Sequence, residues 1–71
     1  MSWWAETLRA VRTIEGLTQS ELSERAGFAH SQIAEWELDK HEPRLSTFDQ
    51  LLYVMGYRIT IERIKEGEEH D

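Results

Sequence analysis

Apolar side chains recur at helical spacing near the start of the chain. They stand three or four positions apart, which places them along one face of a helix: Trp4, Leu8, Val11 and Ile14. The pattern predicts a first helix from Trp3 to about Glu15, with this face against a core. Gly16 is predicted to end the helix, because glycine is common just past a helix C-terminus.

A capping box marks the start of a second helix. Thr18 and Glu21 stand three residues apart, so each side chain can bind a backbone N–H of the first turn. The helix is therefore predicted to begin at Gln19. It is predicted to stop near Gly27, because glycine takes the left-handed backbone conformation without steric cost.

A third short helix is predicted from His30 to about Glu37. Ile33 and Trp36 stand three apart and share one face, which leaves the polar residues on other faces. Two short helices joined by a tight turn that contains glycine form a helix-turn-helix, whose second helix can enter the major groove of DNA.

A fourth helix is predicted from about Leu45 or Thr47 to Met55. Pro43 cannot continue the preceding helix, and Ser46 offers another helix cap. The core face of this helix is predicted from residues three or four apart: Leu45, Phe48, Leu52 and Met55.

The segment that follows has the pattern of a strand. Residues 57–64 are rich in β-branched side chains, and polar residues alternate with Tyr57, Ile59 and Ile61. A lone strand leaves backbone N–H and C=O groups unpaired, so we expect it to pair with the same strand of a second copy around a two-fold axis. The alternative is an extension that lies on its own helices. The acidic tail, residues 65–71, is predicted to be disordered.

Composition narrows the class of protein. The 71 residues make one small domain, which buries only about 60% of its unfolded surface and would gain stability from dimerisation. The absence of cysteine excludes disulfides, thiolate metal sites and cysteine nucleophiles. The first residues do not resemble a leader peptide and no apolar run could span a membrane, so we expect a cytoplasmic protein with no membrane partner.

The joint spacing of these features resembles the Cro/cI-type helix-turn-helix, also called the XRE family. The resemblance covers residues 8 to about 60 and rests on these positions: Gly16-Leu17-Thr18-Gln19, Leu22, Ala26-Gly27-Phe28, Ile33, Glu37, Lys40, Pro43 and Leu45. It implies an all-α, lambda-repressor-like DNA-binding domain of four to five helices over residues 1–56. Some small antitoxins of this family end in a strand, as predicted here for residues 57–64.

The resemblance also implies which side chains contact bases. His30, Ser31, Gln32 and Glu35 match the base-contacting positions of the family. Glutamine can bond to adenine through both halves of its amide, and glutamate can accept from the amino group of cytosine. The alternative is a solvated helix face. Relatives usually cap this helix with serine or threonine, and Ala29 stands there in this chain.

Phosphate contacts are implied for Gln19, Lys40 and Arg44. Leu38-Asp39 stands where relatives most often have Asn-Gly, which puts one further backbone contact in question. The whole chain carries 8 basic and 14 acidic residues, a formal charge of −6, which is the wrong sign for an ordinary nucleic-acid binder. We therefore expect a weak salt dependence, with about two or three counterions released per subunit.

Arg12 and Glu37 are implied to form a structural ion pair, by the same resemblance. The alternative is a solvated arginine, since exposed pairs contribute under about 1 kcal/mol. If the pair is partly buried, removal of one partner leaves an uncompensated charge and costs a few kcal/mol.

Two classes of function remain. An enzyme finds little support, because the histidines are far apart and have no matching carboxylates, and no cofactor or metal is expected. The first class is a homodimeric, sequence-specific regulator that binds a palindromic operator in double-stranded DNA, either a repressor or an autoregulating antitoxin. The second is a protein-interaction module of the same fold, which binds a toxin or another protein with little or no DNA specificity.

Overall fold

The computed structural model describes residues 2–67. It contains four α-helices, in the order that the sequence predicts: α1 (Trp3–Ile14), α2 (Gln19–Ala26), α3 (His30–Glu37) and α4 (Leu45–Tyr53). The helix α1 packs against α3 and α4, and α2 packs against the same two helices. The all-α prediction is confirmed for this part of the chain, with four helices.

One hydrophobic core joins the four helices. Each helix contributes at least one apolar side chain with no solvent exposure: Leu8, Leu22, Ile33 and Leu51. Burial of one such side chain is worth about 1.5 to 3 kcal/mol, so residues from all four helices stabilise the same interior. No helix of the described residues is long and apolar enough to cross a membrane.

The start of α2 has the local bonds that its sequence predicts. The Thr18 hydroxyl accepts from the Glu21 N–H at 3.0 Å, and the Glu21 carboxylate accepts from the Thr18 N–H at 2.9 Å. These reciprocal bonds satisfy two backbone donors, which fixes the first residue of the helix. Gly27 ends α2 in the left-handed conformation, with φ of 79°.

The start of α4 differs in detail from its prediction. The helix begins at Leu45 with Arg44 at the cap position, so Ser46 lies inside the helix and does not cap it. Leu45 and Ile14 were both predicted to face the core, and both are exposed. Ile14 is the last residue of α1 and Leu45 is the first residue of α4. At these helix ends the apolar face continues beyond the part that packs against the other helices.

Residues 57–64 form neither helix nor strand, and the described part of the chain contains no β-strand. A strand needs a second extended segment for its ladder of hydrogen bonds, and the four helices do not provide one. Tyr57 is nevertheless held: its N–H donates to the Leu52 carbonyl at 2.9 Å, and its hydroxyl donates to Glu15 at 2.9 Å. That second bond raises the pKa of Tyr57.

The chain beyond this anchor is exposed. The side chain of Ile61 is 98% exposed, and Ile64 is exposed as well. The alternative prediction, an extension packed on its own helices, therefore describes Tyr57 but not Ile61. Of the predicted disordered tail, residues 65–67 are exposed and residues 68–71 lie outside the described residues.

Candidate nucleic-acid interface

The helices α2 and α3 form a helix-turn-helix in which the first turn of α3 faces solvent. His30, Ser31 and Gln32 are exposed, whereas Ile33 is completely buried. The inner side of α3 is held by an edge-on aromatic contact between Trp36 and the turn, since its ring centroid lies 5.5 Å from that of Phe28. The fold therefore presents three of the four predicted base-contacting residues on one exposed turn.

Gln32 performs a structural task in the unbound chain. Ala29 has no side-chain acceptor, so it leaves the amides of the first turn of α3 without the usual cap. The Gln32 carbonyl oxygen instead accepts from the Ala29 N–H at 3.0 Å, which is the second half of a capping box. The oxygen has two lone pairs, so Gln32 can keep this bond and accept another, and its amide NH2 group remains a donor.

A buried ion pair joins α1 to α3. The Arg12 Nε lies 2.6 Å from Glu37 Oε2 and the Arg12 Nη2 lies 2.8 Å from Oε1, so the contact is bidentate. Arg12 also donates through Nη1 to the Leu17 carbonyl at 2.8 Å. The hydrogen bond to Glu37 raises the pKa of Arg12 above its ordinary value, against the opposing effect of burial. The two residues that the resemblance implied as partners are thus in contact.

Gln19 extends this pair to the exposed end of α3. Its Nε2 donates to Glu37 Oε1 at 3.2 Å, and its Oε1 lies 3.0 Å from His30 Nε2. A carbonyl oxygen can only accept, so the hydrogen lies on Nε2 of His30, and Nδ1 of the neutral ring remains an acceptor. Gln19 was predicted to contact phosphate, and here its side chain positions the first residue of α3.

The loop between α3 and α4 contains the remaining predicted contacts. Lys40 and Arg44 are both exposed, as a phosphate contact requires. Glu35 Oε2 lies 3.1 Å from Nε2 of His41, which is also in this loop. The structure therefore pairs Glu35 with a residue that was not predicted for the site.

Comparison with known families agrees with this geometry. The matching family model is that of a helix-turn-helix domain, and it covers residues 5–60. The chain belongs to this helix-turn-helix family. Its relatives also support the Cro/cI type that the sequence resembles.

Two curated relatives show where this helix-turn-helix occurs. The chain is 31% identical over 55 residues to the immunity repressor protein of Bacillus phage phi105, an alignment that covers 78% of this chain and 38% of that protein. It is 38% identical over 64 residues to the HTH-type transcriptional regulator PuuR of Escherichia coli (strain K12), covering 90% of this chain and 34% of PuuR. The chain thus spans little more than a third of the length of these relatives. No solved structure matches it.

The acidic side chains of the helix-turn-helix are largely engaged in internal contacts. Residues 18–44 contain three basic and six acidic residues. Four of these acidic residues contact another part of the chain: Glu21, Glu35, Glu37 and Asp39. The Arg12 guanidinium offsets the charge of Glu37, whereas the neutral donors that bind Glu21 and Asp39 satisfy their oxygens and leave their negative charges in place.

Asp39 and His41 are two residues of this surface for which the sequence predicted no contact. Asp39 accepts hydrogen bonds from both the N–H and the hydroxyl of Ser2, although the two residues stand 37 positions apart. Asp39 also takes the left-handed conformation, with φ of 65°, at the position where relatives most often have glycine. The one available signal was this Leu38-Asp39 substitution, which indicated an altered helix end without naming a partner.

Proposed function

We propose that this chain is a transcriptional regulator that binds a palindromic DNA operator as a homodimer, as a repressor or an autoregulating antitoxin. The observation that carries the proposal is the exposed first turn of α3, whose first residue is held to α2 through Gln19. A rigid and exposed helix end of this kind suits insertion into the major groove. The names of the relatives, an immunity repressor and a transcriptional regulator, support the same reading.

The proposed roles follow from the position of each side chain. His30, Ser31 and Gln32 contact bases from the first turn of α3, and Glu35 contacts a base from the next turn. Phosphates are contacted by residues around this helix: Gln19, Lys40 and Arg44. With so few cationic contacts, affinity falls only modestly with salt, and a single subunit binds weakly. The Arg12–Glu37 pair contributes by holding α3 against α1.

Dimerisation through residues 57–64 would provide a second copy of α3 for the other half of a palindromic operator. Ile59, Ile61 and Ile64 leave apolar surface exposed in the single chain. Pairing of this segment with its copy around a two-fold axis would satisfy its backbone groups and cover these side chains. Two copies of α3 would then face successive turns of the major groove, which matches a palindromic operator.

A second candidate function is capture of a protein partner such as a toxin. The same exposed isoleucines favour it, because an unpaired apolar segment can add as a strand to the edge of another chain's sheet. Under this alternative, partner binding depends on residues 57–64 and no DNA sequence is preferred. The two functions can coexist, because they use different parts of the chain.

The decisive experiment is a selection from randomised duplex DNA at low salt, followed by titration of the enriched sequence. We expect a palindrome with half-sites about one helical turn apart. Gln32→Ala should weaken binding to it by about 1 to 3 kcal/mol, the usual worth of a bidentate base contact. Thr13→Ala changes an exposed residue of α1, and as the matched control it should bind like the parent chain.

Two results would count against the proposal. If no sequence is enriched, the chain does not read DNA and the protein-capture function is favoured. If a palindrome is enriched but Gln32→Ala binds it with unchanged affinity, and circular dichroism shows an intact fold, α3 does not contact bases through Gln32 as proposed.

A further inference from the structure

Glu35 lies on the same side of α3 as Ser31, because the two residues are four positions apart. Its carboxylate is the one acidic group among the residues proposed to contact bases. A free carboxylate at this place would be repelled by DNA phosphates, and its flexible side chain would sample several rotamers. Both effects weaken any base contact that Glu35 makes.

His41 changes both properties of Glu35. Its Nε2 lies 3.1 Å from Glu35 Oε2, and the side chains are 45% exposed for Glu35 and 66% exposed for His41. A carboxylate oxygen accepts only, so the ring donates its Nε2 hydrogen to it. The bond restrains the Glu35 side chain through one oxygen and leaves the other, Oε1, to accept a further hydrogen bond.

We propose that His41 is a positioning residue for base recognition: it holds Glu35 so that Oε1 accepts from the amino group of a cytosine in the major groove. This inference rests on the proposed DNA-binding function and assigns specificity to a residue outside the recognition helix. The amino group of cytosine is the major-groove donor that a carboxylate recognises, and a fixed rotamer avoids the entropy cost of ordering Glu35 on binding.

The test compares the parent chain with His41→Ala and His41→Gln, in selection and in titrations of the enriched operator. The parent should prefer cytosine at one position of each half-site by about fivefold or more. His41→Ala should lose that preference while the other positions keep theirs. His41→Gln retains an N–H donor, so it should keep the cytosine preference.

Glu35→Gln and Glu42→Gln complete the comparison, because each removes one negative charge from the same region. Glu35→Gln should abolish the cytosine preference, and Glu42→Gln should retain it. All four variants change side chains that are exposed or partly exposed, and circular dichroism verifies their fold.

The outcomes separate this inference from the proposed function. No enriched sequence for the parent chain would overturn both. An enriched operator whose cytosine preference is the same in His41→Ala as in the parent would overturn the inference alone. The inference would also be overturned if the operator had no cytosine preference, or had one that Glu35→Gln did not abolish.

Discussion

Replacement of Arg12 by leucine should be among the most damaging single changes in this domain. The side chain of Arg12 is 17% exposed and that of its partner Glu37 is 2% exposed, so the pair is largely shielded from water. Without Arg12, the Glu37 carboxylate keeps the hydrogen bond from Gln19 Nε2, at 3.2 Å. Loss of one partner from a buried pair costs about 3 to 5 kcal/mol.

We take about 3 kcal/mol for Arg12→Leu, at the lower end, because Arg12 retains some contact with water. A domain of this size is stable by about 4 to 10 kcal/mol, so this change would remove a large part of its stability. In a domain of this size the melting temperature should fall by about 12 to 24 °C. Urea denaturation monitored by circular dichroism, repeated at several protein concentrations, measures the loss and separates it from any effect of self-association.

The control and the double variant make the reasoning refutable. Arg9→Leu removes an exposed arginine from the same helix and should change the free energy of unfolding by less than about 0.5 kcal/mol. Arg12→Leu with Glu37→Leu should be more stable than Arg12→Leu alone, because no charge is left buried. If Arg12→Leu costs less than about 1 kcal/mol, the pair behaves as a surface pair and this account of the contact between α1 and α3 is wrong.

Three further predictions concern the helix ends and the C-terminal segment. Hydrogen bonds from the N–H and the side chain of Thr18 lower the pKa of Glu21 below 4.5, so the stability that the Glu21 carboxylate adds is present above that pH and lost in acid. The free energies of unfolding of Glu21→Gln and the parent chain, measured in urea, should therefore converge as the pH falls below 4.5. A difference that stays constant with pH would contradict this. Gly27→Ala should lower the free energy of unfolding by about 1 to 2 kcal/mol, because φ at this position is +79°. No atom lies within 4 Å of the added Cβ, so the loss comes from the backbone conformation and not from a clash, and Gly27→Asn should be less damaging. Equal losses for the two variants in urea denaturation would show that the backbone conformation is not the cause. Ile61→Asp should leave the free energy of unfolding of the monomer unchanged but shift sedimentation from dimer to monomer, and a variant that still sediments as a dimer would place the interface elsewhere.

Local sequence was sufficient for the helices and for the turn that joins α2 to α3. Thr18 and Glu21 are three residues apart, so the geometry of one helical turn brings them together in any context that allows a helix. Gly27 ends α2 for a similarly local reason, since it takes the left-handed conformation without steric cost. The same local spacing carried the resemblance to the helix-turn-helix family, and family resemblance supplied the Arg12–Glu37 pair.

The arrangement of the surface was decided only by tertiary structure. His41 reaches Glu35 because of the path of the loop after α3, and Asp39 meets Ser2 across 37 positions of sequence. Periodicity contains no information about such pairs, because their distances depend on how the helices cross and where the loops run. The exposure of Leu45 has the same origin, because an apolar position becomes core only if another element covers it. The sequence by itself thus determined the four helices and most of the apolar positions that they bury, whereas helix packing determined which polar side chains meet on the candidate DNA surface.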